Sequence, residues 1–151
     1  MILAYRILTY FLYPLIIFFI YFRILFKKED PVRFKEKFSF FSKDKKKGKL
    51  IWFHGASVGE LLSIIPIVEK LEKNKKINQI LITSNTLSSS KIIQQFKFKK
   101  VIHQFFPVDT NFLSNKFLNY WKPSIVFFID SEIWPNMFQN LESKKIPINL
   151  L

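Results

Sequence analysis

Residues 50–73, LIWFHGASVGELLSIIPIVEKLEK, read as a buried strand, a polar turn and an amphipathic helix in direct succession. Positions 50–53 form an unbroken apolar run of strand length. Beyond the turn, Leu61, Ile64, Ile65, Val68 and Leu71 fall on one helical face, with Glu69, Lys70, Glu72 and Lys73 opposite. The alternation continues to the end of the chain. Apolar runs at 77–83, 101–106, 124–129 and 146–151 are separated by amphipathic stretches at about 87–97, 110–121 and 134–144. Five strands alternating with four helices predict repeated βαβ units. Right-handed crossovers make this an α/β fold, a parallel, doubly wound sheet that receives ligands beyond the carboxyl ends of its strands.

The predicted strand exits are polar. The first leads into His54-Gly55-Ala56-Ser57-Val58-Gly59-Glu60, the second into Ser84-Asn85-Thr86, the third into Pro107-Val108-Asp109, and the fourth into Asp130-Ser131-Glu132-Ile133-Trp134-Pro135-Asn136. Ser57-x-x-Glu60 has the spacing of a capping box, with Ser57 accepting from the Glu60 amide and the carboxylate reaching back to the Ser57 amide. The neighbouring glycines let a ligand approach the backbone, and a carboxylate at a helix start stays ionised, ready to accept a proton. One carboxylate can serve both uses, but the catalytic reading expects Glu60 to point into the open space shared by the loop tips instead of folding back on its own amide. In the fourth loop Pro135 fits the first helical position and Trp134 the cap. Asp130 and Glu132 then end an apolar strand outside regular structure, where carboxylates are costly unless hydrogen-bonded or used. Ser84, Thr86 and Ser88 to Ser90 with Lys91 suit helix capping or an anion site equally. His103 reads as a satisfied strand residue; His54, at the mouth of the first loop, is open to either reading.

The amino terminus differs in kind. Residues 7–22, ILTYFLYPLIIFFIYF, run without charge between Arg6 and Arg23, about 24 Å as a helix at roughly 1.5 Å per residue. That falls short of a hydrocarbon core of about 30 Å, so a tilted span and a half-immersed anchor are both open, with tyrosines at interfacial depth and Pro14 as a kink. A cleaved signal peptide lacks its small-residue site after Phe26. Three regions follow: a membrane anchor helix at 1–26, a basic juxtamembrane segment at 27–49, and the α/β domain at 50–151. The positive-inside bias places the domain in the cytoplasm, and the basic segment suits anionic lipid or a solvated linker.

Composition sets the bounds. The chain has 151 residues, 49% hydrophobic and 23% charged, with a net charge of +13. That excludes general disorder. With no cysteine and only two histidines there is no disulfide framework, no thiolate nucleophile and little basis for a metal site. No nucleic-acid recognition module accompanies the positive charge.

At these residues the sequence resembles the amino-terminal half of the bacterial 3-deoxy-D-manno-octulosonic acid (Kdo) transferases. The resemblance rests on the apolar start, Arg33-Phe34-Lys35-Glu36-Lys37-Phe38, His54-x-x-Ser57-Val58-Gly59-Glu60, the Ser/Thr-rich turn, Pro107-x-Asp109 and Glu132-Ile133-Trp134-Pro135-Asn136. It implies a Rossmann-like sheet, the acceptor-side half of a glycosyltransferase type B fold. It further implies transfer of Kdo from CMP-Kdo to a lipid A precursor, with inversion, at the cytoplasmic face of the inner membrane, without cofactor or metal. Glu60 would be the general base, while His54, Ser57, Gly59, Asp130, Glu132, Trp134 and Asn136 would shape the Kdo and acceptor pocket. Lys37 and Ser39 stand where the family usually shows Arg and Gly, and serines replace the usual glycine of the second turn. The chain stops on a strand without the carboxy-terminal half, so these 151 residues alone are expected to be inactive and, with an exposed terminal strand, prone to aggregate. Alternatives are another membrane-associated type B glycosyltransferase, or a membrane-tethered scaffold whose Glu60 only caps a helix.

Overall fold

The computed structural model describes residues 1–129 and 133–151; Asp130, Ser131 and Glu132 lie outside the described residues. The elements follow the expected alternation: α1 (Ile2–Leu25), β1 (Leu50–His54), α2 (Val58–Ser63), α3 (Ile65–Lys73), β2 (Gln79–Ser84), α4 (Leu87–Gln95), β3 (Val101–Phe105), α5 (Asn111–Trp121), β4 (Ile125–Phe128), α6 (Pro135–Ser143) and β5 (Ile148–Leu150). The strands are all parallel, in the order β3-β2-β1-β4-β5. This is the doubly wound α/β sheet that the periodicity predicts.

Side chains alternate across the pleat, so each strand feeds two cores. Leu50, Trp52, Val126 and Phe128 pack with Phe117, Leu118, Trp121 and Met137 of α5 and α6. Ile51, Phe53, Ile80 and Ile82 pack on the other face with Leu61, Val68 and Ile93 of α2, α3 and α4 and with Ile64 between the first two. Burial on both faces explains why β1 and β2 are continuous apolar runs rather than alternating ones. The stretch predicted as one helix over 58–73 is two. It breaks at Ile64, because Pro66 in the first turn of α3 has no N–H to continue the α2 ladder and its ring crowds the preceding turn.

The segment between α1 and β1 is more than a basic linker. A 3-10 helix, Arg33–Phe38, lies along β3, an edge strand of the sheet. Arg33 Nη2 donates to the His103 carbonyl at 2.9 Å, and the buried Glu36 accepts from the Phe105 amide at 2.9 Å, so two side chains satisfy backbone groups that a sixth strand would otherwise pair. The two residues also pair with each other, Arg33 Nε and Nη2 each donating to one Glu36 carboxylate oxygen at 2.9 Å. Ser39, which ends this helix, has φ 54° and ψ 40°, a left-handed conformation that favours glycine. Its buried hydroxyl donates to the Leu113 carbonyl at 2.8 Å, a bond glycine lacks.

Helix α1 is also part of the domain. Tyr5, Tyr13, Ile20, Tyr21 and Arg23 touch the globular part in turn: Tyr5 donates to Asp109 at 3.0 Å, Tyr13 meets Phe38 and Phe112 edge-on, Tyr21 meets Phe34, and Arg23 pairs with Glu29 at 2.8 Å. Ile20 is buried.

His103 is a satisfied strand residue, as expected. Arg33 can only donate, so Nδ1 accepts from Nη2 at 3.0 Å and Nε2 carries the proton toward Ser84 Oγ at 2.8 Å. Burial, and secondarily the Arg33 charge, push its pKa down to about 3.

Two predictions follow from this edge. Arg33→Ala leaves Glu36 as an uncompensated buried charge and should lower the unfolding free energy by about 3–5 kcal/mol in denaturant titrations. Because the folded state holds His103 neutral, its contribution is complete above the unfolded value near 6.5 and is lost as pH falls toward about 3. Between pH 6 and 4 the wild-type stability should therefore fall more steeply than that of His103→Gln, by up to one proton, or about 1.4 kcal/mol per pH unit. Equal slopes would refute this assignment.

Candidate functional site

The strand order reverses beside β1: successive crossovers lead from β1 to β2 to β3 on one side, and then to β4 and β5 on the other. The carboxyl ends of β1 and β4 thus flank a topological switch point, where doubly wound sheets bind ligands. His54 pairs with Phe128 across this gap, and the Ile129 amide donates to the His54 carbonyl at 2.9 Å. The loops expected to converge do leave one edge of the sheet. Asp130 and Glu132, assigned from sequence to the fourth loop, lie outside the described residues.

Glu60 occupies the first turn of α2, and its carboxylate folds back. Oε2 accepts from the Ala56 amide at 2.8 Å and Oε1 from Ser57 Oγ at 2.6 Å, while Ser57 Oγ accepts from the Glu60 amide at 3.2 Å. This is a capping box that reaches one residue further back than its spacing predicts, to Ala56 rather than Ser57. Burial does not follow, because Ser57 and Gly59 are exposed and Glu60 is half-buried. Each carboxylate oxygen accepts one protein bond and retains acceptor capacity.

The two glycines have different uses. A Cβ on Gly55 would lie 3.0 Å from Leu61 Cδ2 and 3.2 Å from Ile129 Cδ1, so this glycine lets the loop close onto the core. A Cβ on Gly59 would meet nothing within 4 Å, which leaves open space against the first turn of α2.

The other predicted residues are placed deeper. His54 is 1% exposed; its Nδ1 lies 2.9 Å from Thr83 Oγ1 and its ring lies tilted against Phe106, centroids 4.0 Å apart, with Phe128 and Trp134 edge-on. It stands behind the loop rather than in an open mouth. Trp134 caps α6, with Pro135 at the first helical position as the sequence predicts. Asn136 is fully buried: its Nδ2 donates to the Asp109 carbonyl at 2.7 Å and its Oδ1 accepts from Arg6 at 3.4 Å. Of the Ser/Thr-rich turn, Thr86 caps α4 and Ser90 Oγ accepts from Arg33.

A cleft of about 290 Å³ opens beside this group, lined by Tyr5, Lys37, Asn85, Phe106, Asp109 and Trp134 among others. Lys37 Nζ donates to Glu29 at 2.7 Å and to the Asn85 carbonyl at 3.1 Å; burial lowers its pKa, against the opposing pull of Glu29. Trp134 Nε1 is buried without a hydrogen-bond partner among the described residues. Sequence reading noted Asp109 only as part of a motif and passed over its role. Its carboxylate accepts from the Asn136 amide at 3.1 Å, the Met137 amide at 2.8 Å and Tyr5, capping α6 from another loop while holding α1. Burial raises its pKa, and these hydrogen bonds oppose the rise. Only the Pro107-x-Asp109 spacing hinted at this; the tyrosine partner, 104 positions away, gave no local signal.

A doubly wound parallel sheet with a polar switch-point crevice is a Rossmann-like domain, the architecture of a type B glycosyltransferase's amino-terminal half. The sequence model of a family described as 3-deoxy-D-manno-octulosonic-acid transferase (kdotransferase) matches residues 32–151. The chain belongs to that family. It is 37% identical over 147 residues to a probable mitochondrial 3-deoxy-D-manno-octulosonic acid transferase of Arabidopsis thaliana, covering 97% of this chain and 33% of the relative. It is 38% identical over 131 residues to the 3-deoxy-D-manno-octulosonic acid transferase of Rickettsia bellii, covering 87% and 31%. The Haemophilus influenzae transferase is 30% identical over 97 residues, 64% of this chain and 23% of that one. The chain thus spans about a third of the length of its first two relatives.

The Tyr5–Asp109 contact is testable by titration. Burial first, and the Asp109 charge second, raise the Tyr5 phenol to about 12. In Asp109→Asn, ultraviolet titration should find the phenol below about 12 yet still above the ordinary 10, because burial persists. In the wild type, stability contributed by this group is complete below pH 10 and is lost as pH rises through about 12.

Proposed function

We propose that this chain is the acceptor-side domain of a Kdo transferase, moving Kdo from CMP-Kdo to a lipid A precursor at the cytoplasmic face of the inner membrane. The observation that carries the reading is Glu60: a carboxylate fixed by two hydrogen bonds at a switch-point loop, half-exposed, beside a glycine with open space. As general base it would take the proton from the acceptor hydroxyl as that oxygen attacks the anomeric carbon, with CMP leaving and configuration inverting. The Ala56 and Ser57 donors hold the carboxylate in one orientation for that transfer, and such a base contributes about 10² to 10⁴ in rate. The negative charge beside an oxocarbenium-like carbon would add electrostatic stabilisation.

The remaining residues take supporting places in this reading. Trp134 Nε1, buried without a partner among the described residues, offers a hydrogen bond to a ligand in the cleft, and Lys37 adds positive charge near anionic substrates. Ser57 and Gly59 keep the base in place and the approach open. His54 and Asn136 act from behind, as buried supports of the two loops, and Asp130 and Glu132 keep the substrate-binding roles that the resemblance implies. No cofactor or metal enters the proposal. The folded-back geometry of Glu60 also favours a second reading, a tethered scaffold in which the carboxylate is only a cap.

Glu60→Gln in a full-length enzyme carrying this domain separates the two. A base role predicts a loss of turnover of about 10² to 10⁴ with substrate binding retained. A pure cap predicts unchanged turnover and at most about 1 kcal/mol of lost stability, and that result would sink the catalytic assignment.

A further inference from the structure

Helix α1 carries the one candidate membrane span among the described residues, with mean hydropathy 1.9 and only 6% of its most apolar window buried. Leu8, Phe11, Leu15, Phe18, Phe19 and Phe22 project into solvent. Yet its opposite side touches the domain from Tyr5 to Arg23, a length of about 27 Å at roughly 1.5 Å per residue. A hydrocarbon core is about 30 Å thick, so an upright α1 would carry Glu29, Lys37, Asp109 and the start of α6 into lipid beside it. Lying flat, the same helix presents only its apolar side to the membrane.

A second observation lies on the flank of this helix. A groove of about 820 Å³ runs between α1 and the start of α5, walled by Tyr10, Tyr13, Pro14, Asn111 and Phe112, with Arg6 at one side. Its volume is that of a ligand site. Arg6 is half-buried and donates only to the neutral amides of Asn136 and Asn140, at 3.4 and 3.5 Å; no carboxylate pairs with it among the described residues. An apolar channel that opens beside a lipid-facing helix, with an unneutralised guanidinium at its edge, is complementary to an acyl chain beneath an anionic headgroup.

We propose that α1 lies in the plane of the membrane and that the α1–α5 groove holds an acyl chain of an anionic bilayer phospholipid, its phosphate placed against Arg6. The site rests on membrane association as proposed above, but not on sugar transfer, and it is separate from the Glu60 loop. The lipid would stabilise the start of α1 against α6, to which Arg6 is already bonded.

The full 151-residue chain can be tested on phosphatidylcholine vesicles containing phosphatidylglycerol with a diazirine in one acyl chain. Photolysis and peptide mapping should place cross-links on Tyr13 and Phe112 as well as on the outer face at Phe18 and Phe22. Arg6→Gln should reduce the Tyr13 and Phe112 adducts at least fivefold while leaving those at Phe18 and Phe22. The same diazirine in phosphatidylcholine should label the groove several-fold less in the wild type, a comparison that needs no variant. Adducts confined to the outer face, or groove labelling indifferent to both headgroup and Arg6, would overturn the site. Because the chain has no cysteine, Leu3→Cys and Lys47→Cys can report orientation. An impermeant maleimide outside sealed vesicles should label both; protection of one alone would mean that α1 spans, and would overturn the proposal. Failure to bind vesicles would overturn it too, whereas absence of sugar transfer with groove labelling intact would count only against the catalytic reading.

Discussion

A parallel sheet must end somewhere, and the way this one ends at β3 organises the rest of the molecule. The buried Glu36 and the half-buried Arg33, paired against the edge, take up the Phe105 amide and the His103 carbonyl that no sixth strand pairs. Two opposite charges in a low-dielectric site are tolerable because nearly every lone pair and proton has a partner: the guanidinium also serves Ser90 and His103, and the carboxylate also serves Ser42. This pair pins the chain between α1 and β1 to the sheet. Phe34 then meets Tyr21, and Lys37 reaches Asn85 at the exit of β2. A segment whose charge reads as a lipid-facing or solvated patch is, over Arg33–Phe38, an edge cover.

The same constraint brings α1 onto the domain. At one end Arg23 pairs with Glu29, which Lys37 also binds; at the other Tyr5 and Arg6 reach Asp109, Asn136 and Asn140. Asp109 is the counterpart of Glu36 on this side, a buried carboxylate whose cost is offset by donors from α1, α5 and α6. A helix so attached is a wall of the cleft, which Tyr5, Thr9, Ile16 and Ile20 of α1 line.

Glu60 shows how a structural use and the proposed chemical one fit on one side chain. Its carboxylate closes the loop that carries it, which fixes its direction and leaves acceptor capacity on both oxygens. That loop leaves the carboxyl end of β1, the neighbour of β4 in the sheet.

Much of this was legible in the residues themselves. Five apolar runs spaced by amphipathic stretches determined the strands, the helices and their parallel order, because burial periodicity and short crossovers are local properties; the capping residues Ser57 and Trp134 with Pro135 marked helix starts correctly. The single helix expected over 58–73 failed at Pro66, a local signal overridden in the reading by an uninterrupted apolar face. What only the tertiary structure decided are the contacts between distant positions: Arg33 and Glu36 on β3, Tyr5 on Asp109, Arg6 on α6, and the burial of His54 behind Phe106. A charge run or an apolar helix looks the same in sequence whether water, lipid or a sheet edge receives it. Which of these wins depends on unpaired backbone groups and buried donors that exist only once the chain has folded.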